Sequence, residues 1–446
     1  MVEAELIKTL EELSWNDFKS TFKRIAETDQ EAALELLKLK CATDVELYAV
    51  VCFPHYCERE FNKYHEDLFS SFKFGERKVR RARAAPRGSA KSTHTSLIRP
   101  LHDVCYGQEK FILVISSTED LAVPKLKDIR AEVLGNPWLQ ALYGIRFLVK
   151  KPSVSSFTVA SDAGETHFKA VGKDSQIRGV RYQQWRPTKL LFDDFESSDE
   201  VENDRLRKKT EDVFHEEFGK TGDTETNIDF VGTVLHKDAL LPNLLRNPAY
   251  DGKLYKSVLS WSEREDLWNA WREIYRNLDN PNRLREALAY FQANQAEMLR
   301  GTAVLWPEKE SYYDHMLDLE EIGKRAFFKE KQNEPLGLDE PVFERFHFYR
   351  EEPKGLRIES SGALIEWEKL IPIGAMDPST GQSKPKKGKQ GDYCVIAGGF
   401  LQHINGRRRV FIHRDWTKRA PPTKQIEQIF AMNEEFRFDR FAVETN

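Results

Sequence analysis

A run of small residues between a basic stretch and a lysine–serine pair is the feature that most constrains this chain. Residues 84–93 read AAPRGSAKST, after the basic stretch 77–83 and before residues that favour a helix until Pro100 disturbs it. A strand, a tight turn of small residues and a helix opening on Lys-Ser-Thr form the layout of a phosphate cradle. In such a cradle, backbone N–H groups and the helix dipole bind anionic oxygens.

Two alanines distinguish this loop from the phosphate-loop pattern G-x-x-x-x-G-K-[ST]. Ala85 and Ala90 stand where the two glycines belong, and Gly88 is the one glycine of the stretch. Alanine disfavours a positive φ, so we expect a variant loop geometry. In a nucleotide site, Lys91 would contact the outer phosphates and the Ser92 hydroxyl would ligate Mg²⁺. The alternative is a basic turn with a chance Lys-Ser pair, and the loop alone does not decide between the two.

A second chemical signal lies about a hundred residues downstream, where an apolar stretch ends in paired carboxylates. Residues 189–196 read KLLFDDFE. We expect this strand to lie next to the strand that precedes the loop, so that Asp193 holds Mg²⁺. Asp194 would orient the attacking water as a general base, with Glu196 as its rival. The alternative is a strand with an acidic, solvated cap, which is less favoured at this distance from a phosphate loop.

The pattern of apolar runs favours an α/β domain around these two signals. Residues 110–116 are continuously apolar, which is typical of a strand buried on both faces of a parallel sheet. Further strands are expected at 157–160, 167–171 and 227–236, and helices at 121–134 and 201–218. At the end of the last strand, Thr233 or His236 is placed to sense a γ-phosphate, although packing explains them equally well. The aromatic helix at 61–69 suits either an adenine cover or the core.

The C-terminal hundred residues predict a different domain. Strands are expected at 366–373, 392–400 and 408–416, followed by a helix at 422–436 and a last strand at 441–446. Three antiparallel strands, a helix and a fourth strand open a ribonuclease-H-like fold, which places carboxylates of the first and fourth strands side by side to bind divalent metals. Asp377 and Glu444 occupy those positions. Taken singly, each is equally explained as a turn residue or a chain-end acid.

Composition limits the kinds of partner and compartment. The chain has 72 acidic and 68 basic residues, so any nucleic-acid surface must be local. The lysine-rich loop 383–391 suits a sequence-blind contact with the DNA backbone, or a solvated hairpin. Five scattered cysteines without a C-x-x-C pair disfavour a zinc site or a disulfide framework. No apolar run is long enough to span a membrane, and the acidic start of the chain disfavours a signal peptide.

Taken together, these motifs resemble the large terminase subunit of tailed bacteriophages. The likeness runs through nearly the whole chain, in the order 61–69, 86–92, 177–179, 190–196, 231–233, 306–308, 328–335, Asp377 and Glu444. The resemblance implies a P-loop (ASCE-type) ATPase with a small helical lid, followed by a ribonuclease-H-like nuclease. The domain boundaries that it suggests are a helical arm at 1–48, the ATPase at 49–245, the lid and linker at 246–340, and the nuclease at 341–446.

The resemblance also implies roles for individual residues. Asp193 would hold the metal with Ser92, Asp194 would be the catalytic carboxylate, and Arg178 would be an arginine finger acting on a neighbouring subunit. Gly232 and Thr233 match a motif that couples hydrolysis to movement, and Arg87 would sense nucleotide within the loop. The residues expected to bind nucleotide are Arg87, Gly88, Ser89, Ala90, Lys91, Ser92, Thr93 and Thr233. The nuclease would use Asp377 and Glu444.

As a member of that family, the chain would hydrolyse ATP with Mg²⁺ to drive double-stranded DNA through a portal into a procapsid. Its nuclease would cut concatemeric DNA with Mg²⁺ or Mn²⁺. The implied partners are DNA, the portal protein, the small terminase subunit and further copies in a ring, a pentamer by resemblance. The implied location is the host cytoplasm, with transient docking on the procapsid and no membrane.

The family's nuclease carries one more carboxylate downstream of the Glu444 position, whereas this sequence stops at Asn446. We therefore expect an incomplete nuclease that cuts DNA poorly by itself. Two other functions remain open from the residues. One is a helicase-like or repair ATPase, which would separate strands. The other is a non-hydrolysing DNA-binding assembly protein with a degenerate loop, which the two alanines make worth testing.

Overall fold

The computed structural model describes residues 15–149, 152–175, 177–336, 348–378, 393–404 and 407–444. The chain forms two compact units. The first comprises Met1–Ser262 and Gly301–Glu340, and the second comprises Glu263–Arg300 and Pro341–Asn446. Over the described ranges, no helix is both long enough and apolar enough to cross a membrane.

An eight-stranded sheet forms the centre of the first unit. Its strands are β1 (Arg80–Ala84), β2 (Phe111–Ser116), β3 (Arg146–Phe147), β4 (Ser156–Ser161), β5 (Gly164–Gly172), β6 (Lys189–Asp193), β7 (Asn227–Gly232) and β8 (Asp251–Leu254). The spatial order is β3-β4-β5-β2-β6-β7-β1-β8. All pairs from β5 to β8 are parallel, while β4 pairs antiparallel with β3 and β5. The prediction of an α/β fold with a mainly parallel sheet is confirmed.

The carboxylate-bearing strand does not pair with the loop strand, and that prediction is wrong. β7 lies between β1 and β6 and runs parallel to both. Its Asp229 forms ion pairs with Arg81 of β1 at 3.1 Å and with Lys189 of β6 at 3.0 Å. An acid on the middle strand therefore pairs with a buried cation on each neighbouring strand, in addition to the Glu76 partner of Arg81 and the Asp103 partner of Lys189.

The helix after the phosphate loop continues through Pro100, which we expected to disturb it. A wide π-helical turn at Thr93–Ile98 leads directly into α5 (Arg99–Cys105), and the Arg99 N–H donates to the carbonyl of His94, five residues back. Pro100 then sits in the first turn of α5. A proline is tolerated there because the preceding π-helical turn is wider than an α-helix, which leaves room for the ring and does not require the missing N–H.

Helices cover both faces of the sheet. Besides α5, the described helices before β8 are α1 (Trp15–Ala26), α2 (Gln30–Thr43), α3 (Val45–Cys52), α4 (Lys63–Ser71), α6 (Glu119–Gly135), α7 (Pro137–Tyr143), α8 (Ser198–Val201), α9 (Asp204–Glu216) and α10 (Leu240–Arg246). One core face joins Ile112 and Val114 of β2 to α3–α7, and the other joins Leu113 and Ile115 to a phenylalanine cluster around Phe192. Alternation along β2 thus fills both cores.

The aromatic helix belongs to the first of these cores. Tyr64, Leu68 and Phe69 of α4 are buried there. This burial matches the core-packing alternative for residues 61–69.

The first unit is completed after β8 by a short hairpin and two helices. β9 (Val258–Ser260) pairs antiparallel with β10 (Ala303–Val304). The helices are α13 (Tyr312–Ile322) and α14 (Lys324–Glu330). Trp306, which follows β10, donates its indole N–H to the Glu60 carbonyl at 2.9 Å, so this segment is attached to the stretch before α4.

The described part of the second unit contains three α-helices and two small sheets. The helices α11 (Glu265–Tyr275) and α12 (Arg283–Met298) pack through buried Trp268, Trp271 and Phe291. Strands β11 (Tyr349–Glu352), β12 (Gly355–Ile358) and β13 (Leu364–Glu366) form an antiparallel sheet. The other sheet has the order β16-β15-β14-β17, with β14 (Ile371–Asp377), β15 (Cys394–Ile404), β16 (Arg407–Lys418) and β17 (Arg440–Val443).

In the four-stranded sheet, β14, β15 and β16 are antiparallel and β17 returns parallel to β14 after α15 (Pro422–Phe436). The predicted series of three antiparallel strands, a helix and a fourth strand is therefore present, with the first strand starting at Ile371 rather than at 366. The lysine-rich loop 383–391 and the turn at 405–406 lie outside the described residues.

Candidate functional site

The phosphate-loop candidate leaves the carboxyl end of β1 through residues with left-handed backbone. Gly88 has a φ of 86° and Ala90 a φ of 58°. Ala90 thus adopts the conformation that we expected alanine to avoid. Ala85, at the other position where the pattern has glycine, has no positive φ and continues the strand, because its N–H donates to the Gly232 carbonyl at 3.1 Å.

Two side chains from distant parts of the chain hold this loop. The ring of His65 in α4 accepts the Asn62 N–H at Nδ1, so its Nε2–H is the donor to the Ser89 carbonyl at 2.9 Å. Burial lowers the pKa of His65 to about 4, which keeps the ring neutral. The Lys309 ammonium donates to the Gly88 carbonyl. These loop contacts could not be predicted from the sequence, where only the aromatic helix itself was identified.

The loop is also attached to α14. The backbone N–H of Arg87 donates to the Glu330 carbonyl at 2.9 Å, and the Arg87 guanidinium lies 3.6 Å from the Glu330 carboxylate. The Arg87 side chain is largely exposed. Its backbone is therefore fixed, while its exposed guanidinium pairs with Glu330.

Asp193 forms the centre of the site at the end of β6. Its carboxylate is fully buried and accepts the Ser92 hydroxyl at 3.1 Å on Oδ1 and the Ser96 hydroxyl at 2.7 Å on Oδ2. The Lys125 ammonium of α6 lies 3.5 Å from Oδ2. Burial raises the pKa of Asp193, and Lys125 opposes that shift. The predicted Ser92 and Asp193 are thus in contact, whereas Ser96 and Lys125 were not identified from the sequence.

Lys91 and Asp194 lie beside this centre. Burial lowers the pKa of Lys91, and the nearby carboxylates of Asp194 and Asp193 oppose that shift. Asp194 is exposed and has a φ of 54°, so the chain turns sharply directly after the buried Asp193. The ammonium and the two carboxylates therefore share one electrostatic environment at the carboxyl edge of the sheet, although β7 separates their strands.

Glu196, the alternative general base, accepts two backbone hydrogen bonds from α10. Its Oε1 accepts the Leu240 N–H at 2.7 Å and its Oε2 accepts the Leu241 N–H at 3.0 Å. The side chain thereby binds the first turn of α10, and burial raises its pKa. With both oxygens occupied, this carboxylate has a structural task that Asp194 does not share.

The remaining residues of the expected site follow β7, begin the π-helical turn or lie on the surface. Thr233 is half-buried directly after β7, between the loop strand and β6, and Thr93 begins the π-helical turn. The ring of His236 accepts the Asp238 N–H at 3.1 Å. Arg178 lies on the surface, where its guanidinium forms a two-pronged pair with Glu217, with Nε to Oε2 at 2.7 Å.

The second unit brings the other two expected carboxylates to one strand edge. Met376 pairs with Val443 in the parallel β14–β17 register, and the Glu444 N–H donates to the Met376 carbonyl at 2.9 Å. Asp377 and Glu444 follow these residues on neighbouring strands, and both are exposed. Since Met376 and Phe441 pack with α15, the alternation of strand side chains places both acids on the opposite face.

The oxygen donors at both places fit a hard divalent cation. A hydroxyl and a carboxylate within 3.1 Å of each other, at Ser92 and Asp193, are the ligand types that Mg²⁺ takes alongside phosphate oxygens. Asp377 and Glu444 offer a carboxylate pair. In the described part of the chain, no cluster of three or more His, Cys, Asp or Glu side chains has a geometry that could hold a metal ion.

No protein-family model matches the chain, and a search of curated proteins gave no match. The search of solved structures found large terminases. The large terminase of a thermophilic bacteriophage is 8% identical, with 82% of this chain and 72% of that chain covered at a TM-score of 0.31. Another structure of that protein is in complex with ADP.

Two further solved structures come from other phages. The large terminase of bacteriophage HK97 is 13% identical, with 82% of this chain and 66% of that chain covered at a TM-score of 0.32. The large terminase ATPase domain of Thermus phage P74-26 is 14% identical, with 50% of this chain and 89% of that chain covered at a TM-score of 0.27. These proteins belong to the family that the sequence motifs resemble.

Proposed function

We propose that the first unit is an ATP-hydrolysing P-loop domain of the ASCE type. The observation that carries this proposal is the contact between the Ser92 hydroxyl and the buried Asp193 carboxylate, at 3.1 Å, beside Lys91. A loop serine and a strand-end carboxylate that share one cation position at the carboxyl edge of a parallel sheet suit a metal–triphosphate complex.

The loop residues bind the triphosphate in this proposal. The backbone N–H groups of residues 88–93 surround the phosphates, and Lys91 pairs with the outer ones. Arg87 and Thr233 sense the nucleotide from either side of the loop. Ser92 and Asp193 hold Mg²⁺, which when bound neutralises phosphate charge and fixes the orientation of the β- and γ-phosphates.

Asp194 serves as the general base of the reaction. It is exposed beside the buried Asp193, whereas both oxygens of Glu196 bind α10. Asp194 orients the attacking water and accepts its proton, which contributes about 10²–10⁴-fold to such reactions. Arg178 lies on the surface with Glu217 as its partner, so it suits delivery to a neighbouring subunit's site as an arginine finger.

We further propose that this ATPase drives viral DNA packaging, as the resemblance to large terminases suggests. The substrate is double-stranded DNA, held through its phosphates and therefore in a salt-sensitive manner. The partners are a portal protein, a small terminase subunit and further copies of the chain in a pentameric ring. The work takes place in the host cytoplasm at the procapsid. In domain terms, residues 1–48 are an arm, 49–245 the ATPase, 246–340 the lid and linker, and 341–446 the nuclease.

The proposed role of the four-stranded sheet is metal-dependent endonuclease chemistry in a ribonuclease-H-like domain. Asp377 and Glu444, on neighbouring parallel strands and on one exposed face, are the residues that would hold Mg²⁺ or Mn²⁺. Bound there, the metal would activate water and stabilise the leaving oxygen of a phosphodiester. The strand order and the shared face of these acids support this assignment.

A turnover assay tests the ATPase proposal. The chain should hydrolyse ATP in a Mg²⁺-dependent manner, and Lys91→Ala or Asp193→Asn should lower kcat/KM by at least about 100-fold, as expected for a lost phosphate or metal contact. Lys127→Ala, an exposed lysine of α6, is the matched control and should retain turnover. Turnover that survives Lys91→Ala would contradict the proposal, because it would not depend on this loop. A wild type without turnover would favour the non-hydrolysing DNA-binding alternative.

A strand-displacement assay separates the packaging motor from a helicase-like or repair ATPase. A motor that moves duplex DNA should consume ATP on double-stranded DNA without releasing a labelled strand. ATP-dependent strand release, lost in Asp194→Asn, would identify the helicase-like alternative instead.

A further inference from the structure

Residues 330–334, here called the tie segment, connect the carboxyl ends of several strands. The Glu330 carbonyl accepts the Arg87 N–H of the phosphate loop, and the Lys331 carbonyl accepts the Ser257 N–H at 2.8 Å. The segment follows α14 directly, and its Glu334 N–H donates back to the Phe328 carbonyl at 2.9 Å. The end of α14 is thereby attached to both the loop and the region after β8.

Asn333 is the member of the tie segment that reaches the nucleotide-sensing strand end. Its side-chain Oδ1 accepts the Val234 N–H at 2.8 Å, and its Nδ2 donates to the Tyr255 carbonyl at 2.7 Å. Tyr255 in turn donates its N–H to the Ala84 carbonyl at the end of β1, at 2.9 Å. One amide therefore joins the residue after Thr233 to the base of the phosphate loop.

The chemistry of asparagine suits this position. Asn333 is 2% exposed and has a φ of 53°. Asparagine tolerates the left-handed region better than most residues, and its amide offers one acceptor and one donor at fixed separation. An aspartate would keep the acceptor but lose the donor, and a glycine would keep the backbone conformation but lose both.

Gln332, the preceding residue, has a similar burial but a different attachment. Its Oε1 accepts the Val258 N–H at 2.9 Å and its Nε2 donates to the Val258 carbonyl at 3.1 Å. Both bonds go to β9, away from the segment after β7. Gln332 is therefore a suitable control residue, because it is similarly buried and hydrogen-bonded but does not contact Val234.

We propose that Asn333 is a positioning residue that transmits the nucleotide state from Thr233 and Val234 to α14. This inference rests on the proposed ATPase function. When the γ-phosphate contact of Thr233 is made or lost, Val234 shifts with it, and the Asn333 amide moves the end of α14. Because Glu330 also holds Arg87, the movement at α14 is linked to the phosphate loop itself.

Hydrogen exchange with a non-hydrolysable ATP analogue tests this link in the full chain. In the wild type, saturating analogue and Mg²⁺ should change amide exchange over residues 324–331. Asn333→Gly should bind the analogue within about 3-fold of wild-type Kd, about 0.65 kcal/mol, yet lose that change. Gln332→Ala should keep it. A full nucleotide-dependent change in Asn333→Gly would overturn the inference.

Steady-state kinetics provide a second measurement, because a merely destabilised protein would not lower kcat and then recover it in the aspartate variant. Asn333→Gly should lower kcat for ATP with KM unchanged, and Asn333→Asp, which keeps the acceptor for Val234, should recover part of both the exchange response and kcat. If Asn333→Gly fails to fold, Asn333→Asp decides alone: wild-type behaviour in both readouts would overturn the inference. A wild type that binds no nucleotide would instead contradict the proposed function, and the inference with it.

Discussion

Ala90 stores backbone strain in the phosphate loop. A left-handed conformation costs a non-glycine residue about 1–2 kcal/mol, and Ala90 has a φ of 58°. The strain is maintained by the surrounding contacts, since the Ser89 carbonyl is held by His65 and the Gly88 carbonyl by Lys309. Strained residues of this kind cluster at ligand-binding sites, where neighbouring structure determines their conformation.

Exchanging each loop alanine for glycine should therefore have opposite effects. Ala90→Gly should relieve the strain and raise the free energy of unfolding by up to about 1 kcal/mol after the greater backbone entropy of glycine is subtracted. Ala85→Gly should lower it by about 1 kcal/mol, because Ala85 is buried and has no positive φ. Urea unfolding of the two variants provides the comparison. Equal destabilisation by both would contradict the left-handed assignment.

Substitution of Asp194 should affect ATP turnover, whereas substitution of Glu196 should affect stability. Asp194→Asn should lower kcat for ATP by about 10²–10⁴-fold with the unfolding midpoint little changed, because the side chain is exposed and is the proposed general base. Glu196→Gln should keep most of the turnover and lose about 1–3 kcal/mol of stability, since a charged acceptor of two backbone N–H groups is weakened. Steady-state kinetics and urea unfolding distinguish these outcomes; the reverse pattern would make Glu196 the base.

At the scale of elements, α4 acts as a support for the loop. Its first turn is closed by Asn62 and His65, whose side chains accept each other's backbone N–H groups. The same imidazole donates its other ring N–H to the Ser89 carbonyl. One neutral ring thus joins a helix start to the loop, and protonation of its Nδ1 would remove the acceptor for Asn62.

This arrangement predicts an acid-sensitive support. The pKa of His65 is about 4 in the folded chain and about 6.5 when unfolded, so between these values the unfolded chain binds a proton that the folded chain does not. The contribution is complete above pH 6.5 and declines as the pH falls towards 4, by about 2 kcal/mol between pH 6.5 and 5. His65→Gln, which can accept and donate in the same places, should reduce this slope in urea unfolding. Identical slopes for variant and wild type would contradict it.

Other buried groups define the background of that measurement. Burial lowers the pKa of His167 to about 4 and of His102 to about 3, so both weaken the fold towards acid in the same direction. Burial raises the pKa of Glu109 to about 7, so its contribution instead declines as the pH rises from about 4.5 to 7. The comparison must therefore be the difference in slope between His65→Gln and wild type, and not the slope itself.

At the scale of the whole molecule, Arg178 is the residue whose proposed role as an arginine finger needs a second copy of the chain. It is 75% exposed and paired with Glu217 in an ion pair that costs little to open. Arg178→Ala and Asp194→Asn should each abolish turnover alone. When the two are mixed under conditions that assemble the ring, a wild-type arginine can enter a site with an intact Asp194.

Mixing the two inactive variants should therefore restore a fraction of wild-type turnover. Arg181→Ala, on the same loop, is the control and should retain ATP turnover by itself, without mixing. A titration of one variant into the other, followed by ATP turnover, measures the effect. If no mixture under any assembly condition recovers activity, the arginine finger acting on a neighbouring subunit is refuted.

Much of the fold and the candidate site could be predicted from local patterns. The apolar run before Asp193, the small-residue loop before Lys91 and the alternating strands of the second unit are each contained in a short window, and periodicity and turn chemistry operate over such windows. The contact between Ser92 and Asp193 agrees with the expected juxtaposition. The roles assigned to Asp194, Arg178, Asp377 and Glu444 stay predictions.

The sequence by itself determined which elements form and which chemical groups end the central strands. The tertiary structure alone decided that β7 lies between β1 and β6, that Glu196 binds α10, and that Asn333 joins Val234 to Tyr255. The reason is physical. Burying a polar group costs free energy unless it is paired, so strand order and hydrogen-bond partners depend on which distant residues can pair with each buried group. Buried charges and amides must find partners, and a partner such as Asp229 for Arg81 lies 148 residues away in the sequence, beyond the reach of any local pattern.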